Sequence, residues 1–312
     1  VNSGSGNIAI GQSVTGQSLA LGSAGSSLLT DTELDLITTT GTLTIGQATT
    51  KGSDGAGTSA STLTSAAITL DELTQGSKNL TLVSSSTIND DDDTGTSITT
   101  SGTLTLTSNA AIGGSGGSQG LDIDVATLAI TGTGSGNVIV TEASGLVLGA
   151  TTIGGTFSGT ATTGNITDTG TLTITGAATF ITGANGSNII LDASGNAFAA
   201  AVTMKAATGG NQAFGNITFV DSGAVTIQTS ADTDADGELL IDGSTDGAVG
   251  GNLSITATTG NITQAQTLAV AGTSSFTTSA SNATITLGSD NAMSGNITVS
   301  TLGTTGNVTI DN

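Results

Sequence analysis

The chain repeats itself, and the period of the repeat restricts its fold more than any other feature. Ala161 to Thr167 (ATTGNIT) returns as Ala257 to Thr263, 96 residues later. The register then persists: Leu172 falls on Leu268, Gly176 on Gly272, Phe180 on Phe276 and Leu191 on Leu287. After a one-residue slip Val202 falls on Ile297 and Met204 on Val299, giving copies at 161–204 and 257–299. A finer step of 23 residues lies inside the long one, from Ile166 to Ile189 and through Leu239, Ile262, Ile285 and Val308. Between Ile189 and Ile217 the step widens to 28, as a loop enlarged at Gly209 to Gln212 would make it. About 23 residues is close to one turn of a parallel β-helix, and periods in this range mark solenoids. The long repeat is then about four coils.

The strands are visible as GTLTI (Gly41 to Ile45), GTLTL (Gly102 to Leu106), ATLAI (Ala126 to Ile130) and GTLTI (Gly170 to Ile174). In each, Leu and Ile alternate with Thr or Ala, the two-residue period of a strand buried on one face. Helical periodicity is confined to Thr30 to Ile37, where Leu34 and Ile37 would line one side of a single turn. The expected fold is therefore an all-β parallel β-solenoid of about 23 residues per coil, running as one continuous domain over residues 1–312. Coils stacked about 4.8 Å apart would give roughly 13 or 14 coils and a rod of about 65 Å.

Composition agrees with a narrow core. The 312 residues include 48 Gly but no Pro, Cys, His, Trp or Tyr, which leaves few large side chains to fill a deep interior. Recurrent Ile, Leu and Val clusters argue against the disorder that so much Gly and Ser would otherwise imply. Three lysines, Lys51, Lys78 and Lys205, stand against 24 acidic residues, for a net charge of −21. With no arginine, the chain lacks the cations that would neutralise phosphates, so nucleic acid and anionic lipid are excluded as partners. No apolar run is long enough for a membrane-spanning helix, and no membrane insertion is expected. Neither end reads as a cap: Gly6 to Ile10 and Gly306 to Asp311 both look like coil, which implies continuation into a longer protein or end-to-end stacking on another copy.

Candidate sites are few. Gly-Asn precedes a β-branched residue at Gly6, Gly136, Gly164, Gly215, Gly260, Gly295 and Gly306. Gly and Asn tolerate positive φ and stacked Asn side chains can form hydrogen-bonded ladders, so this string reads as a solenoid corner. The same corners create glycosylation-type sequons, most of them incidental to turn followed by strand. The sharpest chemical candidate is Asp232, Asp234, Asp236 and Glu238, with Gly237 for the turn: carboxylates at alternate positions, as in the first half of a calcium loop. Its twelfth position is Gly243 rather than Glu, although Asp242 and Asp246 stand near, and a solvated acidic turn is the competing reading. Asp90 to Asp93 would be a water-exposed run. Catalysis is not expected, because the inventory lacks His, Cys, Tyr and Arg. Asp122 and Asp124 share one strand face, as a glycosidase carboxylate pair could, but without aromatic platforms for sugars. Thr42/Thr44, Thr103/Thr105/Thr107 and Thr171/Thr173/Thr175 would form outward hydroxyl rows that resemble ice-binding surfaces; the plainer reading is that Thr suits the exposed face of a strand.

Leu28 to Gly46, Gly145 to Gly155 and Ala257 to Val299 resemble repeat regions of filamentous-haemagglutinin-like bacterial exoproteins, the β-strand-repeat adhesins exported by two-partner or autotransporter-like routes. The resemblance implies a right-handed parallel β-helix at the cell surface or outside the cell, serving adhesion, biofilm or fibre formation. The expected function is a structural or adhesive shaft, self-associating as a homo-oligomer or filament. The alternative is a repeat that binds glycans or a host or cell-surface receptor, with calcium as the cofactor of the Asp232–Glu238 loop.

Overall fold

The computed structural model describes residues 1–12, 16–22, 29–50, 61–91, 95–114, 120–132, 134–206, 214–228, 238–242 and 248–312. It is a parallel β-solenoid, β throughout except for one short helix among the described residues. Its contacts divide into two compact units: Val1–Ala143 with Thr152–Gly155, and Ser144–Thr151 with Thr156–Asn312.

In the first unit the TLTI-type strings stack in register. Ile8, Leu43, Leu80, Leu104 and Leu128 lie on consecutive parallel strands, and so do Ile10, Ile45, Leu82, Leu106 and Ile130. From Leu43 and Ile45 onward these side chains are fully buried while the intervening residues face outward, as the alternation requires. Each fully buried Leu or Ile contributes about 1.5–3 kcal/mol, but only because its neighbours above and below exclude water. A second wall stacks Leu19, Ile68, Ile88, Ile112 and Val138, and a third Leu73, Ile98 and Ile123.

The step along the first wall is 24 residues from Asn79 to Thr103, and 35 from Asn7 to Thr42. The long step contains α1, Asp31–Asp35, at the place where the sequence allowed a single helical turn. Thr30 caps it: the Glu33 N–H donates to Thr30 Oγ1 at 3.3 Å and the Thr30 N–H donates to Glu33 Oε2 at 3.0 Å, a complete capping box. Leu34 and Ile37 are buried, and Asp31 Oδ1 accepts from the Thr74 N–H and Gln75 Nε2, tying the helix to a coil. Between Leu43 and Leu80 the extra length includes an antiparallel ribbon, in which Gln47–Thr50 pairs with Ser61–Thr64. Such excursions are why a 23-residue register is blurred in this half of the sequence.

In the second unit Ile166 pairs with Ile189, and Ile262 with Ile285 and then Val308, each at the expected step. Ile189 pairs with Ile217 across the longer coil, although Gly209 to Gln212 lie outside the described residues. One expected step is corrected. Leu239 is not one coil before Ile262; Ile262 pairs with Val225, and Leu239 pairs with Val202 on one side and Ile227 on the other. The strand Glu238–Asp242 thus enters the sheet between two strands that both precede it in the chain. Beyond this insertion, Ile217 pairs with Leu253, the residue that the 96-residue repeat aligns with Phe157 rather than Ile166. Residues equivalent in sequence therefore occupy different stacks.

All six phenylalanines of the chain lie in this unit. Phe157, Phe180, Phe198 and Phe219 form a run of ring contacts with centroids 5.3, 6.2 and 5.3 Å apart. Their separations lie in the range where tilted and edge-on aromatic pairs attract.

Candidate functional site

The polar groups that recur with the fold sit at its corners. Asn165 Oδ1 accepts from the Asn188 N–H at 2.8 Å, Asn188 Oδ1 from Asn216 at 2.6 Å, Asn216 Oδ1 from Asn252 at 2.8 Å, and Asn252 Oδ1 from Thr273 at 2.8 Å. The successive steps are 23, 28, 36 and 21 residues, yet the bond is the same each time. Asn7, Asn79 and Asn261 repeat it toward Thr42, Thr103 and Thr284. Between two strands of one coil the backbone turns, and the Asn carbonyl supplies an acceptor to the N–H of the next coil.

The glycine before the asparagine makes room for this bond. A Cβ on Gly251 would lie 2.5 Å from both Asn216 Oδ1 and the Gly215 carbonyl of the preceding coil. Gly-Asn is thus one device, an acceptor plus the space to receive the acceptor below it. The GN[IV] string locates Asn7, Asn165, Asn216 and Asn261 but misses Asn79, Asn188 and Asn252. The fuller signal is an Asn directly before the aliphatic residue that opens a strand.

A second corner is built from buried carboxylates and amides. Asp168 Oδ1 accepts from the Asp192 N–H at 2.9 Å, and its Oδ2 from the Ala193 N–H at 3.3 Å and Asn196 Nδ2 at 2.6 Å. Asn196, fully buried, accepts in turn from the Leu172 N–H at 2.8 Å. In the other copy of the repeat Gln264 takes the place of Asp168 and Asn291 that of Asn196. Gln264 Nε2 donates to Asn291 Oδ1, which also accepts from the Leu268 N–H at 2.9 Å. A neutral amide serves where a carboxylate served, so this corner uses Asp168 as an acceptor rather than for its charge.

Asp221 is a buried acid with a perturbed equilibrium. It is 6% exposed, and burial pushes its carboxyl above the ordinary value, against the opposing pull of the Phe198, Gly223 and Ser222 N–H groups. Phe198 N–H donates to its Oδ1 at 3.0 Å. Beside it lies a narrow crevice of about 10 Å³ lined by Phe198, Ala200, Val202, Phe219, Asp221 and Leu239 among others. That is room for about one water molecule, far below the roughly 300 Å³ at which pockets begin to enclose a ligand.

Of the calcium candidates, Asp232, Asp234 and Asp236 lie outside the described residues, and Glu238 is described only by its backbone at the start of a strand. Among the described residues no three carboxylates converge as a metal-ligand set, and no helix is long and apolar enough to cross a membrane. Asp90 and Asp91 are described, Asp92 and Asp93 are not. Asp122 and Asp124 do share the outward face of one strand, Leu121–Thr131.

The features that recur with the fold are therefore repeat features. A family model described as repeats of unknown function (DUF5649) matches residues 135–205 and 215–300, which contain the two copies of the 96-residue repeat. No curated protein and no solved structure matches the chain. With just over half of its length matched, the chain belongs to this family of repeats.

Proposed function

We propose that this chain is a non-catalytic structural shaft of an extracellular bacterial exoprotein of the filamentous-haemagglutinin-like kind. The observation that carries the reading is where the recurring corner groups go: the asparagine side chains at the strand openings are spent on joining coil to coil. The Asn corners bond each coil to the next, and the buried aliphatic columns share their burial with neighbours above and below. A scaffold of this kind gains stiffness from every added coil, and its acidic exterior keeps particles hydrated and apart. The shaft either stands alone or associates into filaments.

Electron microscopy of the purified chain across a dilution series tests this. Elongated particles of uniform width are expected, isolated at low concentration if the chain is a shaft and longer on concentration if it assembles. Release of oligosaccharide from bacterial or host polysaccharides by the purified chain would overturn the reading, as would particles with no long axis.

A further inference from the structure

One wall of the first unit carries an ordered, uncharged hydroxyl lattice. The strands Thr42–Ile45, Asn79–Ser84, Ile98–Ser108 and Leu121–Thr131 are parallel neighbours. Their outward positions fall into two columns: Thr42, Asn79, Thr103 and Thr127, then Thr44, Thr81, Thr105 and Ala129. The last two strands extend the array with Thr107 and Thr131, whose hydroxyls bond at 2.7 Å. The register shift between these strands lies at Thr100/Thr103, so no shift falls within the array. The backbone positions that carry these side chains are about 4.8 Å apart across strands and about 6.6 Å apart along them.

Three further properties single this wall out. In a chain with 24 acidic residues and three lysines, none of these positions is charged, while the first half of the same strand carries Asp122 and Asp124. The hydroxyls of Thr42, Thr44, Thr81, Thr103, Thr105 and Thr127 make no hydrogen bond within the chain among the described residues and are partly open to solvent. Threonine is β-branched and stiff at χ1, so hydroxyl and methyl positions are set before any ligand arrives and little rotamer entropy is lost on binding. The comparable wall of the second unit, with Thr218, Ser254, Ser275 and Thr298 in one column, mixes in serine, whose hydroxyl is not held by a β-branch.

A regular, neutral face of hydroxyl and methyl groups on paired strands, without aromatic rings to stack on sugars, complements a surface that is itself a periodic array of water oxygens. We infer that this wall binds ice: the hydroxyls join an ordered water layer and the methyls exclude disordered water between them.

The test is partitioning of the fluorescently labelled chain into a slowly grown ice hemisphere, alongside a labelled inert protein. The unmodified chain is expected to enter the ice. Thr105→Lys places a charge at the centre of the array and should abolish entry, with Thr81→Lys on the adjacent strand as a second variant should the first not fold by circular dichroism. Thr256→Lys, an outward position in the second unit, should leave entry intact. Exclusion of the unmodified chain from ice would overturn the inference. Retention of entry by folded Thr105→Lys or Thr81→Lys, or equal loss in Thr256→Lys, would do so too.

Discussion

The two units solve one problem, holding coils of unequal length in register, by different means. In the first, buried hydroxyls share the work: Thr100 Oγ1 donates to the Lys78 carbonyl at 2.7 Å and accepts from the Gly102 N–H at 3.1 Å, and Thr39 does the same with Gly6 and Gly41. Its core is aliphatic, and its long coils project a helix or a ribbon. In the second, a run of four asparagine bonds carries the register through coils of 21 to 36 residues, and phenylalanines join the aliphatic side chains of the interior. The lesson is that coil length is not what a solenoid conserves. What must match is the strand opening and its corner; the residues between can leave the stack and return.

The largest expected effect tests the cores. Phe180→Ala removes a fully buried ring that touches Phe157 and Phe198, and should cost about 3–5 kcal/mol in denaturant unfolding. Leu104→Ala in the first unit should cost about 2–5 kcal/mol. Equal losses would show that the aromatic run adds nothing beyond burial. Next comes Gly251→Ala, which forces a methyl against Asn216 Oδ1 and the Gly215 carbonyl; about 1–3 kcal/mol should be lost, with faster amide exchange at Asn252. Unchanged exchange there would break the claim that the Gly-Asn pair holds the register. Thr30→Ala removes the helix cap and should cost about 1 kcal/mol, with increased exchange confined to α1 and its neighbours in the first unit.

The smallest effect is a pH dependence. Because the folded chain raises the Asp221 carboxyl above its ordinary 3.8, it holds that proton more tightly than the unfolded chain does. The group's contribution to stability is therefore greatest below the unfolded value and is lost as pH rises through the folded one. Unfolding titrations between about pH 3 and about pH 7 should show the wild type losing stability relative to Asp221→Asn over this window. A difference of opposite sign would mean that the N–H donors to Asp221 outweigh its burial.

Much of the fold was legible because a strand buried on one face writes its period directly into the sequence. Leu43/Ile45, Leu104/Leu106 and Leu128/Ile130 were readable as inward positions and stack as such. The single helical turn within Thr30 to Ile37 was visible as a local pattern, its cap at Thr30 only in the structure. The 23-residue step from Leu239 to Ile262 was misleading, since periodicity cannot reveal that Glu238–Asp242 doubles back between earlier strands. The Asp168–Asn196 corner was also illegible, because its two side chains are 28 residues apart and meet only after stacking.

By itself the sequence determined local choices: which strings form strands, which of their side chains face inward, a recurring step of 23 residues in part of the second half, and a net charge of −21. These depend on interactions within a few residues or on summed charge. The tertiary structure alone decided the pairing where coils depart from that step, that the two copies of the long repeat occupy different stacks, and that threonines from four strands share one uncharged face. Most coil-to-coil pairing joins residues about 20 or more apart through backbone groups that every residue carries, so where coil length varies side-chain identity does not reveal it.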